Sequence, residues 1–565
     1  MRAEAQLRVD HLIIRLICAR GLVPEILDSP EWQELLKTMN PKIKVKSSKV
    51  FRDELIPKEA IFVRQEQHKA LSEISNLTCS FDGTNIRRKD TFYTVHAITP
   101  SREAYLLDGA QGASENHTAE WVKGKIIPIM KSIGVANWAG CVSDSTSTTA
   151  KVRAGIAEEI PTVVNLDDCV HLLHNMIGDI SKLAAFKEPL NIMKQIAKYF
   201  SKSGLATNRL LEYRRAQSAS NAVSDKVLRI QKPGGTRFGS LHTSAMSLLP
   251  NLPAIQSLVA DKQIKFLNVS YLPIVLHLAS HHSDSDLEKF RQSLHAYTTI
   301  IDPVIRALWS LEAADANASD VFVFWLAIAG YLDEMMKRPE GATGIPANVT
   351  PEVKSIYNTR YNAFFSNDLY FVAFLLDPRY SSQDFLKPNL TITIPSTQPH
   401  QNPSVSQQSA ALRTPFPDAY ERLKEVLKKL LRDVLYLSEN DSDECRERLF
   451  GECSKVAIAD SLKTQVEDFW YGRRPFNAPL SQRTSPEWWR RLQRESNANV
   501  LAFLAIKIFS ISVNSMTDER TNSYITWLNS PLRGNQLVGT LIDMIQVGQW
   551  YRKVCQLLQS QRNTN

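Results

Sequence analysis

Between Leu77 and Asp167 the chain runs in short β-branched and aromatic stretches, whereas before and after it apolar residues recur every three or four positions. The runs LTCSFD, TFYTVHAIT, EAYLLDG, VANWAGCVSD and TVVNLD predict strands. Helical patterns, HTAEWVKGKIIPIMKSIG and TTAKVRAGIAEEI, separate the last of them. Three strands followed by alternating helix and strand predict a mixed sheet with helices packed on it. Residues 1 to 75 read as a helix, a basic connector (PKIKVKSSKVFRDELIPK) whose lysines face solvent, and a second helix. From about 186 onward the period is helical, as in FVFWLAIAGYLDEMMKR and AYERLKEVLKKLLRDVLYL. Residues 388–416, rich in Pro, Ser and Gln, are expected to form a disordered loop inside that helical zone. No fixed-period repeat is present, and the fold class is α/β plus all-α.

Composition narrows the picture only a little. With 565 residues, 43% hydrophobic and 22% charged, the chain reads as a folded soluble protein of several domains' worth of core. A formal charge of +8 permits a polyanionic partner without naming nucleic acid. The 7 cysteines, at positions 18, 79, 141, 169, 445, 453 and 555, form no CxxC pair, so a reducing compartment and no structural disulfide are expected. The apolar start HLIIRLICARGLVPEIL is broken by Arg15 and Arg20 and reads as an amphipathic helix, not a signal peptide. No run reaches membrane-spanning length.

Two acids stand out. Asp82 closes the run LTCSFD just before Gly83, Thr84 and Asn85, and Asp144 closes VANWAGCVSD just before Ser145 and Thr146. Asp is depleted in strands and costly to bury. Asp82 could cap a turn, and Asp144 could cap the next helix. Alternatively, two strands ending in acids could bring both carboxylates to the same end of one sheet, where a cation could be held.

Several segments, in order, resemble the hAT superfamily of DNA transposases in its fungal branch. They are SFDGTN (80–85), YTVHAITP (93–100), ENHTAEW (115–121), VSDSTS (142–147), NLDDCVHLLHNMIGDI (165–180), KPGGTRFGS (232–240), LLDPRY (375–380) and ISVNSMTDERTNSYITWLNSPLRG (511–534). The resemblance implies a ribonuclease H-like mixed sheet core interrupted by a large helical insertion domain. Its divisions would be an N-terminal helical region (1–75), the first part of the core (76–185), the insertion (186–490) and a C-terminal segment (491–565) that completes the core and helps form a dimer or larger homo-oligomer. It also implies a third catalytic acid, Glu519, within TDER. Asp518 is its neighbour, and because adjacent helical residues point about 100° apart only one can readily face the sheet; Glu519 is the expected ligand. Asp82, Asp144 and Glu519 would then hold two Mg²⁺ or Mn²⁺ ions about 4 Å apart, with Asp82 bridging them. The family reaction is cleavage at a transposon end followed by strand transfer, with DNA as partner and the nucleus as location. The alternative is a catalytically inactive, domesticated DNA-binding and dimerisation protein.

Other side chains carry two readings each. Cys169, His171 and His174 have no evident fourth ligand, so no zinc is predicted, and core packing or DNA contact is expected instead. Lys232 and Arg237 in KPGGTRFGS suit a phosphate-contacting loop or a solvated turn. Arg533 is a further DNA-binding candidate. His277, His281 and His282 read as a polar helix end. In WWRRLQR, Trp488 and Trp489 could stack on bases, although burial with the arginines outside is favoured. Family members usually carry an N-terminal zinc finger, and residues 1–76 offer only Cys18, His11 and His68. DNA binding is therefore expected to be electrostatic, steeply salt-dependent and weakly sequence-specific.

Overall fold

In the computed structural model the described residues are 3–85, 91–111, 118–220, 229–234, 238–266, 285–380, 416–435, 447, 450–451, 453–480, 484–530 and 537–563. The expected loop at 388–416, apart from Phe416, lies outside them, as do Arg237, His277, His281, His282 and Arg533.

Apolar residues at helical spacing build the N-terminal helices α1 (Ala3–Arg20) and α2 (Ile56–Ser72). Ile13, Ile14 and Ile17 of α1 and Ala60 and Val63 of α2 are buried together. Lys42, Lys44 and Lys49 in the connector between them are exposed, while Lys46 pairs with the buried Asp10 at 2.8 Å.

The five expected strands form one sheet: β1 (Leu77–Asn85), β2 (Thr91–Ile98), β3 (Ala104–Gln111), β4 (Trp138–Ser143) and β5 (Val164–Asp167). The order is β3-β2-β1-β4-β5. β1, β2 and β3 form an antiparallel meander, and β4 and β5 add parallel to the other side of β1. Parallel neighbours need long crossovers. The helix α3 (Ala119–Ile133) precedes β4, and α4 (Ser147–Glu159) joins β4 to β5.

Period-two alternation divides the sheet into two faces. Cys79 and Phe81 of β1, with Tyr93, Val95 and Ala97 of β2, pack on Val122, Ile126 and Met130 of α3 and Val152 and Ile156 of α4. The opposite face meets the helical zone and the C-terminal helices.

Helix α5 (Cys169–Ser181) leaves β5 and enters a large helical body containing α6 (Ser285–Leu311), α7 (Ala318–Lys337) and α8 (Pro417–Leu435). Its core is continuous with Ala139, Val142 and Leu166 of the sheet. Trp325 of α7 sits among the rings of Tyr357, Tyr361, Phe364 and Phe365. In α9 (Ser485–Leu492), Trp488 and Trp489 are buried and their indole N–H groups donate to the carbonyls of Ala478 and Leu376, while Arg490 and Arg491 stay exposed. Burial of the tryptophans is thus the outcome.

The chain then returns to the sheet through α10 (Met516–Leu528) and α11 (Val538–Asn563). Ile525 and Leu528 of α10 and Leu541, Ile542 and Ile545 of α11 bury Phe92 and Leu106. Gly109 of β3 permits this approach, since a Cβ there would lie 2.5 Å from Ile542 Cδ1. Met544, Val547 and Tyr551 on another side of α11 close the core of α1 and α2. Among the described residues no helix is long and apolar enough to cross a membrane.

Candidate functional site

β1 is longer than the sequence suggests. The residues Gly83, Thr84 and Asn85 look like a turn but continue the strand, pairing with Tyr93, Phe92 and Thr91 of β2. Asp82 is therefore inside the antiparallel ladder, opposite Thr94, and caps no turn. On its other edge the parallel pairing with β4 stops at Ser80↔Val142. Two residues further along each strand stand Asp82 and Asp144. Continuing the register brings them to the same face on adjacent strands, whose backbones lie about 4.8 Å apart. β4 ends at Ser143, so this end of the sheet carries Asp82 within β1 and Asp144 just past the end of the neighbouring strand β4.

Asp144 is not the cap of α4. Thr146 takes that role, its side chain accepting from Thr149 N at 3.3 Å. Thr149 Oγ1 in turn donates to Asp144 Oδ1 at 2.6 Å. The buried Arg153 fixes the strand end from α4: it donates to the carbonyl of Asp144, to Asn165 Oδ1 at 2.9 Å and to Asp167 Oδ1. One guanidinium, with its fork of donors, thus holds the ends of β4 and β5 together.

Of the two acids opening α10, Asp518 turns onto the sheet, not Glu519. Asp518 is fully buried and accepts from Ser80 Oγ and, at 2.8 Å, from Thr94 Oγ1. His96 Nδ1 lies 2.6 Å from its Oδ1, and His96 Nε2 lies 3.0 Å from Thr521 Oγ1. With Nδ1 protonated the imidazole donates to the carboxylate and accepts from the hydroxyl. A buried carboxylate requires such donors, and these occupy Asp518 as a tie between α10 and strands β1 and β2. The side chain one residue on, Glu519, is half-buried on the flank beside Trp309, Glu312, Met516 and Arg520, which border a cavity of about 530 Å³.

Asn522, one turn beyond Glu519, donates from Nδ2 to Asp82 Oδ2 at 2.9 Å. That bond does not balance the charge around Asp82. Burial, then the negative charges of Asp518, Asp144 and Glu519, push the Asp82 carboxyl up to about 8, against a lowering bond from the Gly83 N–H. The same surroundings raise the Tyr93 phenol, through burial and the charges of Asp144 and Asp82. The charges of Asp518, Asp144 and Glu519 therefore all bear on Asp82. Among the described residues no group of three or more His, Cys, Asp or Glu is arranged to hold a metal ion. The donor set is nonetheless that of a hard cation, oxygens only, with an excess of negative charge that a divalent ion would offset.

The remaining expected residues lie elsewhere. Cys169 is buried in the helical core, and burial pushes its thiol well up. The rings of His171 and His174 are 6.4 Å apart. His174 Nε2 accepts from the backbone N–H of Phe238 at 2.5 Å, so this histidine ties α5 to the segment following KPGG. Lys232 is exposed. Asp168, which the sequence reading did not single out, caps α5 through Val170 N at 2.7 Å and also accepts from Ser515 N at 2.8 Å, joining the end of β5 to the start of α10. Ser80, Thr94, His96 and Asn522 were missed as well. Their signal was polar residues at period two within buried strands, Ser80 and Asp82 on one, Thr94 and His96 on the next. No protein-family model and no curated protein matches this chain.

Proposed function

We propose that this chain is a hAT-like transposase, or a protein descended from one, with a ribonuclease H-like core that cleaves and transfers DNA strands using Asp82, Asp144 and Glu519. One observation carries the reading: Asp82 and Asp144 continue a single parallel register past the end of β4, and Asp82 feels the charges of Asp144 and Glu519 from a helix more than 430 residues later in the chain. The mixed five-stranded sheet, with C-terminal helices packed on it, agrees with that core.

In this reading Mg²⁺ or Mn²⁺ supplies activation of the attacking oxygen and stabilisation of the leaving one at a DNA phosphodiester. The chain's own part is to hold the carboxylates. Asp82 would hold the ion, placed by its position in β1; Asp144 is kept at the strand end by Thr149 and by Arg153 on its backbone. Glu519, whose charge reaches Asp82, would be the third ligand, while its neighbour Asp518 spends its oxygens on Ser80, Thr94 and His96. DNA is the proposed partner, with Lys232, Arg237, His171, His174 and Arg533 as candidate contacts. A homo-oligomer formed through the C-terminal segment, acting in the nucleus, completes the proposal.

The test is cleavage of labelled duplex by the full chain with and without Mg²⁺ or Mn²⁺. Metal-dependent nicking that disappears in Asp82→Asn supports the proposal. Nicking that persists in Asp82→Asn or without metal refutes the assigned site. A wild type that binds DNA and never cuts it points to the inactive DNA-binding and dimerisation descendant.

A further inference from the structure

We infer that Asn522 is a positioning residue for Asp82 that sets the separation between Asp82 and Glu519; the inference rests on the cation-binding role proposed above. Asn522 and Glu519 are three residues apart on α10, so their side chains leave the same flank of the helix. From that flank Asn522 Nδ2 reaches Asp82 Oδ2 at 2.9 Å, across 440 positions of sequence. The contact links the strand that carries one proposed ligand with the helix that carries another.

Three features suit this bond to positioning and to little else. First, the donor is neutral. A lysine or arginine there would also orient Asp82, but its charge would compete with any cation; an amide fixes the direction of the carboxylate and leaves its charge uncompensated. Second, the helix bearing the amide is itself fixed. Asp518, four residues earlier, is bonded to Ser80 on Asp82's own strand β1 and to Thr94 and His96 on the neighbouring strand β2. Asn522 thus carries the register of a tied helix to the carboxylate. Third, Asn522 Oδ1 is buried and has no hydrogen-bond partner among the described residues. A buried amide oxygen without a donor is unfavourable. The amide is therefore oriented by what its nitrogen does, and its nitrogen faces Asp82. The reverse orientation would turn the amide oxygen, in place of its N–H donor, toward Asp82 Oδ2.

Residues that hold a metal ligand from behind commonly alter metal affinity about 10- to 100-fold when removed. The experiment is a titration of the full chain with Mn²⁺ in the absence of DNA, read by loss of the free-ion paramagnetic resonance signal, with thermal melts of every variant. Wild type is expected to bind and Asp82→Asn to lose binding. Asn522→Ala should bind about tenfold more weakly or worse, with its melting temperature kept. Thr526→Ala, on an exposed part of the same helix, should bind as wild type does. Asn522→Gln keeps an amide donor one methylene further out and should bind more tightly than Asn522→Ala. Asn522→Ala binding Mn²⁺ as well as wild type, while Asp82→Asn does not, overturns the positioning role and leaves the proposed site standing. Equal weakening in Asn522→Ala and Asn522→Gln with lowered melting temperatures marks a role in folding only and overturns it too. Wild type and Asp82→Asn alike in binding no Mn²⁺ removes the site and the inference together.

Discussion

Asp518 and Asp82 are the same residue type on elements that touch, and their surroundings make them opposites. Asp518 is fully buried, yet its oxygens meet two hydroxyl donors and an imidazole. Asp82 keeps some exposure to solvent, yet it meets one amide and three other acids, and its carboxyl is pushed up to about 8. Depth of burial does not separate the two. The supply of donors against like charges does, and it separates a carboxylate that holds the fold from one left with charge to offset.

Breaking the well-supplied carboxylate should have the largest effect. Asp518→Ala leaves Ser80, Thr94 and His96 buried without their acceptor and frees α10 from the sheet, and we expect a loss of about 3 kcal/mol or more of stability, measured by denaturant unfolding. Asp82→Asn should not destabilise; a loss as large as that of Asp518→Ala would erase the contrast.

The next effect is a dependence on pH with an unusual sign. The folded carboxyl of Asp82 is raised to about 8, whereas an unfolded Asp ionises near about 3.9. Between those values the folded state holds a proton that the unfolded state has released, so the contribution of Asp82 to stability is fully present below about 4 and is lost as pH rises through about 8. Melting curves of wild type without metal should therefore fall relative to Asp82→Asn across that window. Mg²⁺ should reverse the fall by favouring the ionised form. Parallel curves for the two proteins would show that the crowding of acids around Asp82 has no energetic consequence.

The smallest effect concerns Asp144. Thr149→Val keeps the shape of the side chain and removes the hydroxyl that donates to Asp144 Oδ1 at 2.6 Å. A loss of about 1 kcal/mol is expected from unfolding measurements, with DNA cleavage reduced further than that stability loss explains. Cleavage at the wild-type rate would show that Thr149 does not orient this acid.

The sheet was legible because its strands are buried and keep a two-residue period, so all five runs appear where the pattern puts them. The end of β1 was not. Gly83, Thr84 and Asn85 have turn chemistry, and only pairing with β2 holds them extended. The phase of α10 was also hidden. Whether Asp518 or Glu519 faces the sheet depends on one residue's rotation of a helix, and that is decided by a polar pocket of Ser80, Thr94 and His96 more than 420 positions away. The resemblance carried by TDER pointed to this pair of acids, and the complementary donors chose which of them faces the sheet. Asp144 was visible as an acid at a strand end, but not as a residue left uncapping because Thr146 does the capping.

The most direct measurement of the central claim is the position of Mn²⁺ in crystals of the full chain, located by its anomalous scattering. The account predicts a peak at ordinary cation–oxygen distance, about 2.1 to 2.3 Å, from Asp82 together with Asp144 or Glu519, with Asp518 still bonded to Ser80, Thr94 and His96. Crystals saturated with Mn²⁺ that show no peak at this end of the sheet, or a peak ligated by Asp518, would contradict it.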